Sequence, residues 1–413
     1  MIARFIIAIL LLLAVDWYAF QAVRIVLAET PSAARVAVYV VYWSIPVLAI
    51  AYLWSAGRGG ANRWPEQMRV IVRTLIVIVY FSKLLVALVM LADDVRRVVQ
   101  AAYYALSGDN WIASGRSRFM SELGLGLGIL PLVFLTYGMV RNPYRYKVHR
   151  HRVTIPGLPA ALDGFRIVQI SDIHAGSFLT LDPVRKSVKI INRLDPDLVV
   201  FTGDLVNTTA DEADAIIPIF SGIRARYGVF SVLGNHDYGD YRPWPSQAAK
   251  QANFQRLIEQ HARLGWQLLR NEHAVVRKED AAVGVIGVEN YSAHPRFHKY
   301  GDMPRATAGM PEVDVTILLS HDPSHWRDEI IRAYPQVDLT LSGHTHGFQF
   351  GIEIPGLIKW SPVQYVYKQW AGLYQQGAQY LYVNRGLGYL GYPGRVGILP
   401  EITELTLTRA QGG

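Results

Sequence analysis

Five short motifs carry side chains that could bind metal ions, and each lies where an apolar run ends. The motifs are SDIHAG (171–176), GDLVN (203–207), GNHDYG (234–239), SHDPSH (320–325) and SGHTHG (342–347). Their carboxylates, amide and imidazoles suit Mn²⁺, Fe²⁺ or Zn²⁺ better than Ca²⁺ or Mg²⁺, because the last two prefer cages of oxygen atoms. The chain contains no cysteine, so thiolate ligands and disulfides are excluded.

Each motif taken singly has an ordinary structural explanation. An aspartate after a strand often caps a helix or lies in a turn, and a single histidine is usually a hydrogen-bonded structural residue. One shared site explains five such motifs better, because ligands of open α/β sheets collect at the carboxyl ends of the strands. The set is what a two-metal hydrolase needs, with cations roughly 3.5–4 Å apart, a bridging carboxylate and open positions for water and substrate. Glycines beside three motifs would allow the tight turns that bring the side chains together.

The segments that must position these motifs alternate between strand and helix patterns. Strands are predicted for 165–171, 197–203, 228–234, 282–288, 313–320, 338–343, 379–386 and 402–409, and helices for 182–193, 211–222, 249–264 and 324–334. Buried strands that alternate with amphipathic helices are typical of a layered α/β domain.

The first 140 residues have a different character, because most of the long apolar runs lie there. Hydrophobic residues make up 51% of the chain, which is high for a wholly soluble protein. Four stretches, at about 5–28, 36–55, 70–92 and 119–140, approach or exceed the roughly 20 residues that cross a bilayer. The sequence therefore predicts a transmembrane helical domain over residues 1–140, a basic juxtamembrane link over 141–154 and an α/β domain over 155–413.

The membrane orientation is predicted from the basic residues near the helix ends. Such residues surround the second loop and follow the fourth helix, at Arg58, Arg63, Arg69, Arg73, Arg141, Arg145, Lys147, Arg150 and Arg152. This pattern predicts a multi-pass protein of the inner (cytoplasmic) membrane with its α/β domain on the cytoplasmic face. Contact with anionic head groups explains the basic link better than nucleic acid does, and no obligate protein partner is evident.

Two charged residues lie near the middle of predicted spans, Asp16 in the first and Lys83 in the third. The two spans cross the bilayer in the same direction, so the two side chains lie at similar depth. A charge at that depth is costly unless it is paired or faces water. A structural ion pair is the favoured interpretation, and an ion or substrate path is the alternative.

In their order and spacing, the motifs D-x-H, G-D, G-N-H-D, a lone His and G-H-x-H resemble those of the calcineurin-like metallophosphoesterase family. The resemblance covers about residues 160–408, and each of the five motifs is complete. It implies an α/β fold with a four-layer α/β/β/α sandwich, here preceded by the four transmembrane helices. It also implies two divalent metal ions, for which the donor types favour Mn²⁺, with Fe²⁺ or Zn²⁺ as alternatives.

The same resemblance implies a role for each motif residue. The first metal would be held by Asp172, His174 and His346, the second by Asn235, His321 and His344, and Asp204 would bridge the two. His236 would stabilise charge or protonate the leaving group, and Asp237 would orient it. Asp322 is expected instead to cap the following helix.

Weaker features of the sequence indicate the class of substrate. The segment LPAALDGFRIVQISDIH (158–174) resembles the membrane-associated bacterial branch that includes enzymes cleaving UDP-2,3-diacylglucosamine. The membrane half also favours a phospholipid or lipid-linked phosphate, hydrolysed at a phosphodiester or pyrophosphate bond by metal-activated hydroxide. A phosphodiesterase or phosphatase acting on soluble nucleotides or phosphoproteins is the alternative, and a non-catalytic membrane sensor or transporter component is a further one.

The region 353–397 follows the last motif and is rich in aromatic, glycine and basic residues. Either it supplies packing and turns, or it forms a rim that touches both the phosphate and the lipid interface. Arg385 and Arg395 are the candidate substrate-binding residues of this rim. His298 is a third candidate, with an ordinary loop histidine as the alternative.

Overall fold

A computed structural model of the chain describes residues 2–58, 60, 64–107, 115–354 and 356–410. It divides the chain into two compact units, Met1–Tyr137 and Gly138–Gly413. Four helices dominate the first unit: α1 (Ile2–Val26), α2 (Ser32–Gly57), α3 (Glu66–Ser107) and α4 (Arg118–Val140), whose last turn belongs to the second unit. All four are long and apolar enough to cross a membrane, as the sequence predicts. Arg63 lies outside the described residues.

Helix α3 continues well past residue 92, where the apolar run ends. The polar extension contains two local ion pairs, with Arg96 Nε 2.8 Å from Asp93 Oδ1 and Arg97 Nη1 3.0 Å from Asp94 Oδ1. Pairs spaced three residues apart lie on the same face of a helix and stabilise it. The length of the apolar run predicts the membrane span but not where the helix ends. The polar extension could therefore not be predicted from hydrophobicity.

The predicted pair of buried charges is present within the membrane unit. Lys83 Nζ is in direct contact with the carboxylate of Asp16, and both residues are buried. The Tyr80 hydroxyl donates to Asp16 Oδ2 at 2.9 Å, and the Tyr42 hydroxyl donates to the Asp16 carbonyl at 2.7 Å. Two opposite charges with additional hydrogen bonds satisfy the conditions under which ionised groups are tolerated at membrane depth.

Removing one member of this pair should destabilise the protein more than removing both. Asp16→Asn leaves the Lys83 ammonium buried without its counter-ion, at an expected cost of about 3–5 kcal/mol, and the Asp16→Asn/Lys83→Met double variant should recover most of that loss. Thermal unfolding of the detergent-purified full-length protein measures both effects. Losses that simply add would show that the two charges do not interact.

Among the described residues, the second unit contains fourteen strands. These are β1 (Lys147–Ile155), β2 (Arg166–Ile170), β3 (Leu198–Phe201), β4 (Val229–Ser231), β5 (Gln267–Leu268), β6 (Glu272–Lys278), β7 (Ala281–Gly287), β8 (Val315–Leu319), β9 (Leu339–Ser342), β10 (Ile352–Ile354), β11 (Ile358–Trp360), β12 (Gly372–Gln376), β13 (Gln379–Val383) and β14 (Glu401–Arg409). They form one six-stranded sheet in the order β1-β14-β2-β3-β4-β5, a second in the order β12-β13-β9-β8-β7-β6, and the separate hairpin β10–β11.

The helices of this unit cover the outer faces of the two sheets. They are α5 (Asp182–Arg193), α6 (Ile217–Phe220), α7 (Gln247–Arg263), α8 (Met303–Thr307) and a π-helical turn, Trp326–Ile330, that continues into α9 (Ile331–Ala333). One apolar core lies between the sheets, a second lies under α5, α6 and α7, and a third lies under α8 and the π-helical turn. Alternate strand residues supply the two faces of each sheet, as the twofold period of a strand requires. The result is the predicted four-layer α/β/β/α sandwich.

Strand β1 occupies the segment that the sequence places in a basic link. It pairs in parallel with β14 from Lys147↔Glu401 to Ile155↔Arg409. Val153 and Ile155 are buried in the core between the sheets. The strand pattern is masked by the basic residues that precede them in β1, which keep their charges at the surface of an edge strand.

Candidate metal centre

The five motifs meet at the carboxyl ends of β2, β3, β4, β8 and β9. Six of their side chains form two groups, the first Asp172, His174 and His346 and the second Asp204, His321 and His344. Within each group, the candidate ligand atoms all lie within 4.8 Å of one another. The structure therefore brings together the histidines and aspartates that the sequence singles out as metal ligands.

The first group consists of buried side chains with lone pairs that face one another. His174 Nε2 lies 3.0 Å from His346 Nε2, and His346 Nε2 lies 3.2 Å from Asp172 Oδ1. Burial lowers the pKa of His174 to about 3, so its ring is neutral. Burial alone would raise the pKa of Asp172, but the neighbouring His346 outweighs it and lowers that pKa. Two imidazoles and a carboxylate at these distances fit a divalent transition-metal ion.

The amide of Asn235 lies against the second group, and Asp204 of this group also lies close to the first. His321 Nε2 lies 3.2 Å from both Asp204 Oδ2 and Asn235 Oδ1, and His344 Nδ1 lies 2.8 Å from Asn235 Oδ1. The same Asp204 Oδ2 is 3.6 Å from His174 Nε2 in the first group. An oxygen within reach of both groups has the position of a bridging carboxylate.

Hydrogen bonds behind the second group direct its ligand atoms inward. His321 Nδ1 donates to the Thr202 carbonyl at 2.7 Å, which leaves Nε2 facing Asp204. Metal-bound histidines commonly donate their second ring nitrogen in this way. Burial would lower the pKa of His321, but the Asp204 carboxylate outweighs it and raises that pKa to about 10. A divalent cation bound at His321 Nε2 would displace the proton that the Asp204 carboxylate favours there.

The backbone that carries these side chains is unusual for residues other than glycine. Asp172, His174, Asp204, His344 and His346 have φ values of 50°, 47°, 60°, 71° and 51°. This left-handed region is unfavourable for residues that carry a Cβ, and such strain is concentrated at functional sites. Five strained residues in one cluster indicate that the loops are shaped by the convergence of the side chains.

Two glycines of the motifs are required because the loops pack closely. A Cβ at Gly343 would lie 1.9 Å from Ser171 Oγ and 2.3 Å from Asp172 Oδ2. A Cβ at Gly234 would lie 2.2 Å from Asp204 Oδ1. Neither glycine has a positive φ, so neither is needed to form a left-handed turn. Their function is the close approach of the carboxylates that face the candidate metals.

His236 lies beside both groups and is held by a backbone carbonyl. Its Nδ1 donates to the Asn207 carbonyl at 2.7 Å, and its main-chain N–H donates to Asp204 Oδ1 at 2.8 Å. The ring centroid is 5.0 Å from that of His174, and the residue is partly exposed. The bond to Asn207 fixes the ring and leaves Nε2 for an incoming group. No sequence signal marks a main-chain acceptor, so this contact could not be predicted.

Asp237 acts on the loops that surround His236. Its carboxylate accepts hydrogen bonds from the main-chain N–H groups of Asp204, Leu205 and Gly234 at 3.0, 2.9 and 2.8 Å. These bonds tie the turn after β4 to the turn that presents Asp204. Any orientation of His236 by Asp237 is therefore indirect, through the backbone.

The two arginines considered as substrate ligands are both buried. The guanidinium of Arg385 forms ion pairs with Glu401 and Glu353. Arg395 Nε donates to the Gly388 carbonyl at 3.1 Å, and its Nη2 lies 3.5 Å from His346 Nδ1. Both side chains therefore contact the protein behind the metal groups. These partners lie in other loops and strands, and no local pattern in the sequence pairs them with the arginines, which is why the sequence suggests free cations.

Arg385→Met should lower the stability of the folded protein and have little direct effect on substrate affinity. It leaves Glu401 buried without its counter-ion, at an expected cost of about 3–5 kcal/mol, and Arg385→Met/Glu401→Leu should recover much of the loss. Burial would raise the pKa of Glu401, but Arg385 outweighs it and holds that pKa at about 2. The stabilisation is thus present above the unfolded-state pKa of the carboxyl and fades as the pH falls towards 2. Thermal unfolding against pH checks this, and an unchanged melting temperature with a raised KM would favour substrate contact.

The third candidate, His298, is exposed on the loop 291–301, where its ring stacks on Tyr300 with centroids 5.6 Å apart. Its neighbour Phe297 is closer to the metal groups, because the Phe297 and His344 ring centroids are 4.9 Å apart. The structure therefore brings Phe297, which the sequence does not single out, next to a candidate ligand.

Tyr367 and Asp322 support His344 from outside the second group. The Tyr367 hydroxyl donates to Asp322 Oδ2 at 3.1 Å and lies 2.9 Å from His344 Nε2. Asp322 Oδ1 accepts from the Ser324 N–H at 2.8 Å, a contact consistent with the prediction that this residue caps the following helix. Groups that orient a ligand in this way tune the metal that it holds. Only the aromatic character of region 353–397 hinted at Tyr367.

Comparison with protein families matches both parts of the chain. Residues 3–143 match the family described as probable calcineurin-like phosphoesterase, transmembrane domain. Residues 165–348 match the family described as calcineurin-like phosphoesterase.

Individual relatives extend this similarity over most of the chain. The uncharacterized metallophosphoesterase YkuE of Bacillus subtilis is 32% identical over 279 residues, which are 66% of this chain and 89% of that protein. The transmembrane protein with metallophosphoesterase domain of Danio rerio is 31% identical over 314 residues, 74% of this chain and 66% of that protein. An uncharacterized metallophosphoesterase of Helicobacter pylori is 27% identical over 308 residues, 74% of this chain and 75% of that protein.

Proposed function

The chain belongs to the calcineurin-like metallophosphoesterase family and is a membrane protein, and from this premise we propose that it hydrolyses a phosphodiester or pyrophosphate bond of a lipid-linked substrate with two divalent metal ions. The observation that carries the proposal is Asp204, whose Oδ2 lies 3.6 Å from His174 Nε2 and 3.2 Å from His321 Nε2. One carboxylate oxygen within reach of two ligand groups favours a pair of cations over a single one.

Divalent cations bound here would lower the pKa of a water molecule and offset the charge that develops on phosphoryl oxygens. The residues of the first site would be Asp172, His174 and His346, and those of the second Asn235, His321 and His344, with Asp204 between them. We assign Mn²⁺ as the metal, with Fe²⁺ or Zn²⁺ as alternatives, because the donor set mixes imidazoles with oxygens.

His236 is assigned to the leaving group. The Asn207 carbonyl accepts the Nδ1 proton, so Nε2 can face a bound phosphate ester and either donate a proton or stabilise charge. Catalysis needs no covalent intermediate, because water is the nucleophile.

A lipid-linked substrate such as UDP-2,3-diacylglucosamine is favoured by the four-helix membrane domain and by the segment 158–174. The basic residues around the second loop and after α4 favour the inner (cytoplasmic) membrane, with the catalytic domain on the cytoplasmic face. Soluble nucleotides and phosphoproteins are the alternative substrates. In this proposal Arg385 and Arg395 affect the substrate through the loops that they hold.

The test uses purified full-length protein that has been stripped of metal. Mn²⁺, Fe²⁺ under anaerobic conditions and Zn²⁺ are added separately, and hydrolysis is measured with a chromogenic phosphodiester, UDP-2,3-diacylglucosamine in mixed micelles and a soluble nucleotide diester. We expect metal-dependent turnover, with the highest kcat/KM for the lipid. A higher kcat/KM for the nucleotide would refute the lipid assignment, and no hydrolysis with any metal would favour a non-catalytic sensor.

A further inference from the structure

An exposed apolar surface follows the last metal motif in the chain. We call it the hairpin surface, and it consists of Phe348, Phe350, Ile352, Ile354, Leu357, Ile358, Tyr365 and Val366. Phe348, Leu357 and Tyr365 are 62%, 79% and 78% exposed. A contiguous apolar segment of this kind marks an interaction site, whereas single exposed apolar residues do not.

In the hairpin β10–β11 the apolar side chains face outward and the charged side chains face the domain, which is the reverse of the usual arrangement in a soluble domain. Ile352 pairs with Trp360 and Ile354 with Ile358, so these side chains share the outer face. On the other face, Glu353 forms an ion pair with Arg385, and Lys359 Nζ donates to the Ala371 carbonyl. Antiparallel strands at a water surface normally turn polar residues outward. Here the charges attach the hairpin to the domain, and the apolar residues face outward.

A short stretch of chain connects the strand beside this hairpin to a candidate membrane span. A cleft of about 430 Å³ is lined by Lys147 and His149 of β1 together with Glu353, Leu357 and Lys359 of the hairpin. Lys147 is only seven residues beyond Val140, the last residue of α4, which corresponds to at most roughly 25 Å of extended chain. The hairpin therefore borders the start of the strand that is tethered to a candidate membrane span.

The charges near this surface suit an anionic membrane. Arg141 and Arg145 are exposed between α4 and β1, Lys147 is exposed at the start of β1, and Lys368 is exposed just after Val366. Basic residues close to a membrane span are attracted to anionic head groups by about 1 kcal/mol each. Trp360, with an apolar body and one N–H, is the residue type that accumulates at the membrane–water interface.

We propose that the hairpin surface inserts into the head-group region of an anionic phospholipid bilayer. Both ends of the surface adjoin the metal centre. Phe348 follows His346 by two residues, and Tyr367, next to Val366, contacts His344. If the proposed function holds, insertion presents phosphates at head-group depth directly to the candidate metals.

The absence of native cysteine allows a direct measurement of depth. Leu357→Cys and, separately, Tyr365→Cys are labelled with a nitroxide in the full-length protein, which is reconstituted in nanodiscs of phosphatidylcholine with or without phosphatidylglycerol. Asp280→Cys, in the turn between β6 and β7, is the matched control at another hairpin tip. Collision rates with oxygen and with a water-soluble nickel chelate then report the depth of each label.

We expect the labels at 357 and 365 to favour oxygen over the nickel chelate by several-fold, most strongly with phosphatidylglycerol, and the label at 280 to favour the chelate. Equal values at 357, 365 and 280 would overturn the proposal. Shielding from both reagents would also overturn it, because a protein partner or a second copy would then cover the surface. Equal insertion in both lipids would overturn the preference for anionic lipid. The readout does not depend on catalysis, so it separates this proposal from the proposed function.

Discussion

Asp204→Asn is expected to abolish metal-dependent hydrolysis and to lower the number of bound metal ions from two to one or none. The substitution preserves the shape of the side chain and an oxygen that can accept the His236 N–H, but it removes the negative charge. The lost carboxylate oxygen lies within 3.6 Å of a histidine nitrogen in each candidate metal group. A loss of about 4 kcal/mol of transition-state stabilisation corresponds to roughly a 10³-fold lower kcat/KM.

The measurement combines elemental analysis of the purified variant with kinetics on a chromogenic phosphodiester. Asp214→Asn is the matched control, because Asp214 is only partly buried, lies outside the five motifs, and pairs through its carboxylate with Arg256 and Arg263. The control should keep both metals and wild-type turnover. Two bound metals with unchanged activity in Asp204→Asn would contradict the bridging assignment.

The convergence of the candidate ligands was predictable from the sequence because they follow strands in a fixed order. The carboxyl ends of parallel strands lie on one edge of a sheet, so the motifs after β2, β3 and β4 share an edge of the first sheet and those after β8 and β9 share an edge of the second. The packing of the two sheets then brings the two edges together. The unpredicted contacts involve groups with no such signature. The Asn207 carbonyl and the Tyr367 hydroxyl reach His236 and His344 only through tertiary structure.

Secondary structure was predictable where one local signal dominated. Helix α5 has the predicted bounds, Asp182–Arg193, and Pro183 lies in its first turn. The helix predicted for 211–222 is instead a 3₁₀ turn, Ala210–Ala213, followed by the short α6. Pro218 lacks the N–H that a continuous helix would use, which explains the interruption.

The same reasoning explains why the basic side chains were harder to interpret. The basic residues of β1 obscure the strand pattern in the sequence, although the segment forms an edge strand. Arg385 resembles a phosphate ligand in the sequence, whereas the structure shows that it pairs with Glu401. A sequence gives the charge of a side chain but not the partner that neutralises it. The buried ion pairs of Arg385 are therefore a part of this site that only the structure reveals.

His236→Gln is expected to retain both metal ions and to lose turnover by about 10²- to 10⁴-fold, the range for removal of a general acid or base. Glutamine can still donate a hydrogen bond but cannot transfer a proton near neutral pH. Elemental analysis and kcat together separate His236 from the metal ligands. The control is His273→Gln in β6, where the imidazole contacts the Ala306 carbonyl, away from the five motifs.

Substrates with different leaving groups distinguish the two roles proposed for His236, proton donation and charge stabilisation. A nitrophenolate leaves without protonation, whereas an alkoxide needs a proton, so a general acid matters more for an alkyl ester. If His236 Nε2 donates that proton, His236→Gln should slow an alkyl phosphodiester about 10²-fold more than a nitrophenyl one. An equal loss with both substrates would assign His236 to charge stabilisation alone, and loss of metal together with activity would place it among the ligands.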